Sequence, residues 1–156
     1  MVNLIDELEK AFHGDAWHGN NTMSLLTTAD AEKVYMHPIA NAHSIAELVL
    51  HMTAWTEEVI ERLHGAAAKE PLRGDWPEPR EQSSAEWELM LNDFKKANQK
   101  LLDTLNNLNL SDWATPVKDD RDFVAKDATT NYSQLVNGLI QHHAYHSGQI
   151  ALLLKF

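Results

Sequence analysis

Long stretches of this chain carry apolar residues three or four positions apart, the spacing that puts side chains on one face of an α-helix. Three such stretches cover residues 45–63, 87–108 and 135–153. Shorter stretches at residues 4–12 and 22–28 precede them. No stretch shows the strict alternation of apolar and polar residues that marks a β-strand. The pattern therefore predicts an all-α fold, a four-helix bundle whose first helix is broken.

Residues with capping chemistry mark where the long helices begin and end. Ser44-Ile45-Ala46-Glu47 and Ser83-Ser84-Ala85-Glu86 both match the capping box, in which the serine and glutamate side chains each accept a backbone N–H. Asn131 is placed to open the last helix, and Gly65 is placed to end the helix that follows Ser44. These signals give the three periodic stretches defined ends.

Two segments between the helices read as loops. Residues 66–82 contain Pro71, Pro77 and Pro79, and a segment of this length is either an overhand crossover or a functional flap. Residues 116–130 are polar and read as a second loop. Because there is no repeat, low-complexity tract or linker, residues 1–156 are expected to form a single domain.

The charge balance and the absence of cysteine exclude several function classes. Thirteen Lys and Arg stand against 23 Asp and Glu, a formal net charge of −10, which argues against nucleic acid and membranes as partners. Without cysteine the chain has no disulfide, no cysteine-based zinc site and no thiol nucleophile. No basic leader with an apolar run and no membrane-spanning stretch is present, so a cytoplasmic location is expected.

Nine histidines are the unusual number in the composition, and three of them fall where core residues belong. His142 and His146 share one helix face four positions apart, in line with Leu135 and Leu139, and such a pair can hold one divalent ion. His51 lies in the middle of another helix and can complete a site with three histidines. The alternative for the pair is two core histidines bonded to carbonyls, or a helix face turned toward solvent. The alternative for His51 is a core or boundary residue with its hydrogen bonds satisfied.

The other histidines are expected to have ordinary roles. His143 points about 100° away from His142 on a helix and is expected at a boundary or an interface. The remaining five lie in loops or at helix ends, and among them His18 is the one placed to line a pocket; they are His13, His18, His37, His43 and His64.

Further residues around the last helix carry specific expectations. Gly148 inside a helix predicts the close approach of a neighbouring helix, since glycine is otherwise unfavourable there. Gln149 is placed to hydrogen-bond within the site or to a ligand imidazole. Glu47 is the best-placed carboxylate for the same role, but it is expected to serve the capping box instead. Tyr145 and His18 are weak candidates for a general base, and no catalytic residue is assigned.

The tryptophans leave two alternatives open. Trp17, Trp55 and Trp76 either form the apolar wall of a pocket or belong to the core.

The chain resembles the DinB-like (DinB/YfiT) superfamily of small bacterial four-helix-bundle metalloproteins. The resemblance is carried by Ala16-Trp17-His18-Gly19, by residues 43–55, which contain His51, and by residues 138–153, which contain His142 and His146. Asp75-Trp76-Pro77 in the proline-rich loop also looks like a branch of that family.

This resemblance implies a bundle with a long crossover between its second and third helices. It also implies one divalent metal ion, zinc or nickel, held by His51, His142 and His146, and a homodimer. The chain departs from the family pattern at His143, where relatives often carry an acidic residue. Relatives with assigned activities resemble transferases or isomerases that use a low-molecular-weight thiol.

The leading functional hypothesis is a metal-dependent enzyme that activates an external thiol or water against a small electrophilic substrate. Thiol transfer takes first place because of the resemblance alone, with hydrolysis second. The alternative is a non-catalytic metal-binding or stress-related structural bundle. A third possibility is a bundle without metal in which the histidines form a hydrogen-bonded core.

Overall fold

The computed structural model describes residues 3–120 and 130–156, and within these ranges the chain is helical, without a β-strand. The helices are α1 (Leu4–His13), α2 (Thr22–Thr27), α3 (Ile45–Leu63), α4 (Ser84–Asn106) and α5 (Tyr132–Leu153). A single 3₁₀ turn, Asp112–Ala114, lies between α4 and α5. The predicted all-α bundle is confirmed, with α1 and α2 as its broken first helix. No helix in the described part of the chain is long and apolar enough to cross a membrane.

The predicted caps form at most helix ends. The Ser44 hydroxyl accepts the N–H of Glu47 at 3.2 Å, and the Glu47 carboxylate accepts the N–H of Ser44 at 2.8 Å, so this capping box is complete. Gly65 takes a φ of +90° directly after α3, the left-handed conformation that glycine adopts most easily. The predicted box at α4 is only half formed, because the Glu86 carboxylate pairs with Arg80 instead of the backbone.

The bundle is built around α3, which packs against both α4 and α5, while α1 and α2 pack against α5. Its apolar core falls into two clusters, one around Met52, Phe94 and Ile150 and the other around Ile60 and Leu101. Buried polar side chains occupy the helix positions between the two clusters. This polar layer comprises Thr56, Asn98, His143 and Ser147.

His143 lies in this polar layer, so its predicted place at a boundary or interface was wrong. The side chain is 1 % exposed, and its Nε2–H donates to the Thr56 hydroxyl at 3.1 Å. That hydroxyl donates in turn to the carbonyl of Met52 at 2.8 Å. The buried face of α5 includes Val136 and His143, about one residue around the helix from the predicted face, and this rotation leaves His142 half-buried at the edge.

The long crossover joins α3 to α4 through residues 64–83, as the resemblance implied. The buried side chain of Glu58 on α3 fixes the first part of the crossover. One of its carboxylate oxygens accepts both the Arg62 Nε–H and the Lys69 backbone N–H, each at 3.0 Å. Arg73 pairs with Glu57 of α3 at 2.8 Å. These bonds fold the crossover back along α3, toward the middle of that helix.

Gly148 does not mark a close helix contact, and that prediction was wrong. It lies exposed on α5, and a Cβ atom built on it meets no described atom within 4 Å. The glycine therefore leaves open space above this side of the helix instead of accommodating a neighbour.

Candidate metal centre

His51, His142 and His146 meet where the middle of α3 packs against α5. The Nε2 atom of His142 lies 2.8 Å from Nε2 of His51 and 3.1 Å from Nε2 of His146. One ring nitrogen from each of the three histidines falls within 4.8 Å of the other two. The structure thus brings together the three residues that the sequence singled out, and among the described residues they are the group that could hold a metal ion.

The far nitrogens of two of these rings fix their tautomers. Nδ1 of His51 lies 2.6 Å from the backbone carbonyl of Asp75, which can only accept, so this nitrogen carries the proton. Nδ1 of His146 donates to the Gln149 side-chain oxygen at 2.7 Å. Gln149 therefore bonds the imidazole of His146, one of the three candidate ligands, as the sequence suggested. Both rings, when neutral, present the lone pair of Nε2 to His142.

Burial keeps the three rings neutral. Desolvation, together with the neighbouring His146 and His51 rings, lowers the pKa of His142 to about 4. Desolvation also lowers the pKa of His51 and of His146. At neutral pH the centre therefore consists of uncharged imidazoles, the form in which histidine binds metal ions.

A divalent ion fits this donor set better than protons do. A single proton on His142 Nε2 can point at only one of its two neighbours, whereas a cation at the centre accepts all three lone pairs. Zinc–nitrogen bonds of about 2.0–2.1 Å with tetrahedral geometry place ligand nitrogens about 3.4 Å apart. The Nε2–Nε2 separations from His142, 2.8 Å to His51 and 3.1 Å to His146, are slightly shorter than this spacing.

The crossover supplies the surroundings of His51. The Trp76 ring stacks on His51 with a centroid distance of 3.8 Å and on the opposite side against His43 at 3.5 Å, both nearly parallel. The Trp55 indole N–H donates to the Asp75 carboxylate at 2.7 Å. Trp55 and Trp76 thus stand at the site, as one of the two predicted alternatives had it, while Trp17 is fully exposed.

Sequence reasoning missed the roles of Asp75 and His43. Asp75 reaches His51 across 24 positions, and the only signal for it was the Asp75-Trp76-Pro77 motif of the resemblance. His43, expected to be ordinary, covers Trp76 and lies 3.4 Å from the Glu47 carboxylate. Glu47 itself serves the capping box and contacts His37 at 3.0 Å, away from the three histidines, as expected.

Two clefts flank the three histidines. The Trp55 cleft has a volume of about 460 Å³ and reaches His51 and His142; its other lining residues are Trp55, Val59, Arg62, Asp75, Thr130, Gln134, Leu135, Gly138 and Leu139. The Tyr145 cleft, of about 450 Å³, reaches His146; its other lining residues are Ile39, Asn41, Ala42, His43, Leu48, Trp76, Tyr145, Gln149, Leu152 and Leu153. Both volumes are typical of small-molecule sites.

Of the two weak general-base candidates, Tyr145 lies in a cleft beside the histidines, and His18 lines neither cleft. The centre therefore combines three imidazoles with access for small molecules from two sides. Structural zinc sites, by contrast, are closed by four protein ligands.

The comparisons with known proteins agree with this architecture. No curated protein matches the chain with significant similarity. A family model described as the DinB superfamily matches residues 16–150, which include α3, most of α5, the crossover and all three histidines. The chain belongs to the DinB superfamily.

Proposed function

We propose that this protein is a metal-dependent enzyme in which His51, His142 and His146 hold one divalent ion, zinc or nickel, through their Nε2 atoms. The convergence of these three nitrogens between two clefts is the observation that carries the proposal. Bound there, the ion supplies Lewis-acid chemistry that lowers the pKa of a thiol or water nucleophile toward neutrality. The electrophile is a small molecule.

The chain's own residues hold and orient the ligands. The Asp75 carbonyl and the Gln149 side chain accept the Nδ1 protons of His51 and His146, which directs both Nε2 lone pairs inward. Trp76 covers one face of the His51 ring and excludes water from it. Three protein ligands leave at least one coordination position open for a small molecule.

The thiol must come from outside the chain, because the sequence contains no cysteine. Thiol transfer takes precedence over hydrolysis on the strength of the family resemblance. In the transfer, the thiol sulfur bonds to the electrophilic carbon, the leaving group departs with its electron pair, and the thiol proton goes to solvent.

The test is a thiol-transfer assay with 1-chloro-2,4-dinitrobenzene and either glutathione or bacillithiol, which yields an aryl thioether and chloride. Zinc- or nickel-loaded wild-type protein is expected to exceed the uncatalysed rate at least tenfold. The His51→Ala variant and chelator-treated protein are expected to return to that background. His64→Ala is the matched control, because His64 is exposed at the end of α3.

Failure to accelerate any thiol or water reaction in metal-loaded protein would favour the non-catalytic alternative, in which the ion staples α3 to α5. That alternative predicts that metal raises the melting temperature without producing turnover. The open clefts on either side of the histidines argue for catalysis instead.

A further inference from the structure

We propose that the Trp55 cleft binds the uncharged, apolar body of the electrophilic substrate. The inference rests on the proposed function in one respect, namely that the bound ligand is a substrate. The binding property itself follows from the cleft and can be measured without turnover.

The walls of the Trp55 cleft are apolar. Trp55 and Val59 come from α3, and Leu135 and Leu139 come from α5, so the cleft lies between the two helices that carry the histidines. Its volume of about 460 Å³ suits a small aromatic or branched aliphatic compound. Burial of such a compound against these walls is favourable because it removes apolar surface from water.

Among the described residues that line the cleft, Arg62 is the one permanently charged cation, and its hydrogen bonds are already made within the protein. Arg62 donates through Nε to Glu58 and through an Nη atom to the carbonyl of Lys69, each at 3.0 Å. Its guanidinium also lies 5.7 Å from the centre of the Trp55 ring. The Glu58 carboxylate compensates the charge of Arg62, and these contacts leave the guanidinium poorly suited to recognise an anionic ligand.

An anionic side chain also lines this cleft. The Asp75 carboxylate accepts the Trp55 indole N–H and keeps about half of its surface exposed. A ligand with a carboxylate of its own is repelled there, and the formal net charge of −10 on the whole chain adds to that repulsion. The lining therefore selects uncharged ligands.

The position of the cleft places such a ligand beside the candidate metal centre. His51 and His142 both belong to its lining, so a compound that fills it lies against two of the three histidines. The apolar body of the substrate fills the cleft, and this holds its electrophilic carbon close to a nucleophile at the candidate metal centre.

Gly138 provides a way to fill the cleft without disturbing the fold. It lines the cleft from α5, and a Cβ atom built on it meets no described atom within 4 Å. A leucine there replaces a residue that is unfavourable within a helix and projects into the space that the ligand needs. Gly148→Leu is the matched control, since Gly148 is exposed on the same helix, equally open, and outside the lining of both clefts.

The experiment titrates zinc-loaded protein with nitrobenzene and follows the Trp55 indole resonance in ¹H–¹⁵N NMR spectra. We expect saturable shifts in wild type and in Gly148→Leu, with dissociation constants within twofold of each other. Gly138→Leu is expected to weaken binding at least tenfold while its melting temperature does not fall. 4-Nitrobenzoate is expected to bind at least tenfold more weakly than nitrobenzene.

Equal affinity in Gly138→Leu and wild type, the absence of saturable binding, or binding of 4-nitrobenzoate as tight as that of nitrobenzene would overturn the inference. The outcome is separable from that of the proposed function. If binding is saturable and weakened by Gly138→Leu but no reaction is catalysed, the proposed enzymatic function is refuted and the binding role of the Trp55 cleft stands. If the protein turns over substrate with the same KM in wild type and Gly138→Leu, the enzymatic function stands and the binding role of the cleft is refuted.

Discussion

His142 and His143 are neighbours on one helix, and burial lowers the pKa of both, to about 4 and about 3 respectively. Their surroundings nevertheless differ in kind. The ring of His143 donates to Thr56, which donates to the Met52 carbonyl, so donors and acceptors alternate in the polar layer. The ring of His142 faces the acceptor nitrogens of His51 and His146 instead.

The hydrogen-bond partners of the two rings distinguish a structural histidine from a candidate metal ligand in this bundle. A buried imidazole is stable where its N–H meets an acceptor, and the polar layer provides this for His143. Three imidazoles whose Nε2 atoms converge on one point form a group that could hold a metal ion there. Burial and depressed pKa values are common to both regions and therefore do not distinguish them.

The largest expected effect is on stability, at His143. Replacing His143 with Ala leaves a cavity in the core and removes the bond to Thr56, which is expected to lower the free energy of unfolding by about 3 kcal/mol. Metal binding should persist in this variant. In metal-free protein, His142→Ala should cost under about 1 kcal/mol, because that ring is half-buried and faces other lone pairs. Denaturant unfolding with a chelator present measures both losses of stability. Equal losses would show that the two rings contribute alike to the fold, contrary to this account.

Metal addition is expected to give the next largest effect. At a free zinc concentration of about 100 times the dissociation constant, wild-type protein should gain about 2.7 kcal/mol of stability. His142→Ala should gain none under the same conditions. Thermal unfolding with and without zinc provides the measurement, and an unchanged zinc response in His142→Ala would contradict the role assigned to that residue.

The pH dependence of metal-free protein tests whether the polar layer holds His143 neutral. A histidine has a pKa of about 6.5 in the unfolded chain, so below that pH the unfolded state binds a proton that the folded state, with its lower pKa, does not. The free energy of unfolding is therefore highest above pH 6.5 and falls as the pH decreases toward the folded-state pKa. Because the pKa of His143 is about 3, this residue should contribute a slope of about 1.4 kcal/mol per pH unit between pH 5.5 and pH 4.

In the His143→Gln variant, the free energy of unfolding should depend on pH with a slope smaller than that of wild type by about this amount. The stability of the variant at pH 7 should also be lower than that of wild type. Urea unfolding at several pH values, with a chelator present, gives the slopes. Identical slopes for wild type and His143→Gln would show that the ring is not held neutral in the core.

The smallest expected effect concerns Gln149, which orients His146. Gln149→Leu removes the acceptor for the Nδ1 proton and should weaken zinc binding about tenfold. Gln141→Leu, on the exposed side of the same helix, is the control and should bind zinc as wild type does. A competition titration with a chromophoric chelator measures both affinities. Equal zinc affinity in the two variants would contradict the role of Gln149 in orienting His146.

Local signals in the sequence predicted most of the fold. Helical spacing and the caps at Ser44 and Asn131 depend on neighbouring residues, so the long helices could be located from them. The i, i+4 pair on α5 and the central position of His51 on α3 likewise pointed to the three histidines. The structure brings these three together, and their role as ligands stays a prediction.

What the sequence could not give depends on contacts between distant segments. Consecutive histidines on α5 leave its rotation ambiguous by one residue, and only packing against α3 decides that His143 enters the core. The bond from His51 to Asp75 depends on how the crossover folds back. The prediction of a close helix contact at Gly148 was wrong because a glycine within a helix is compatible both with a close neighbour and with open solvent.

The most direct measurement of the metal centre is the metal content of untagged protein, purified without chelators, for wild type, His142→Ala and His143→Gln. Elemental analysis is expected to find about one equivalent of zinc or nickel in wild type and in His143→Gln, and less than a tenth of an equivalent in His142→Ala. Full occupancy in His142→Ala, or no metal in wild type after incubation with zinc or nickel, would contradict a metal ion held by the three histidines.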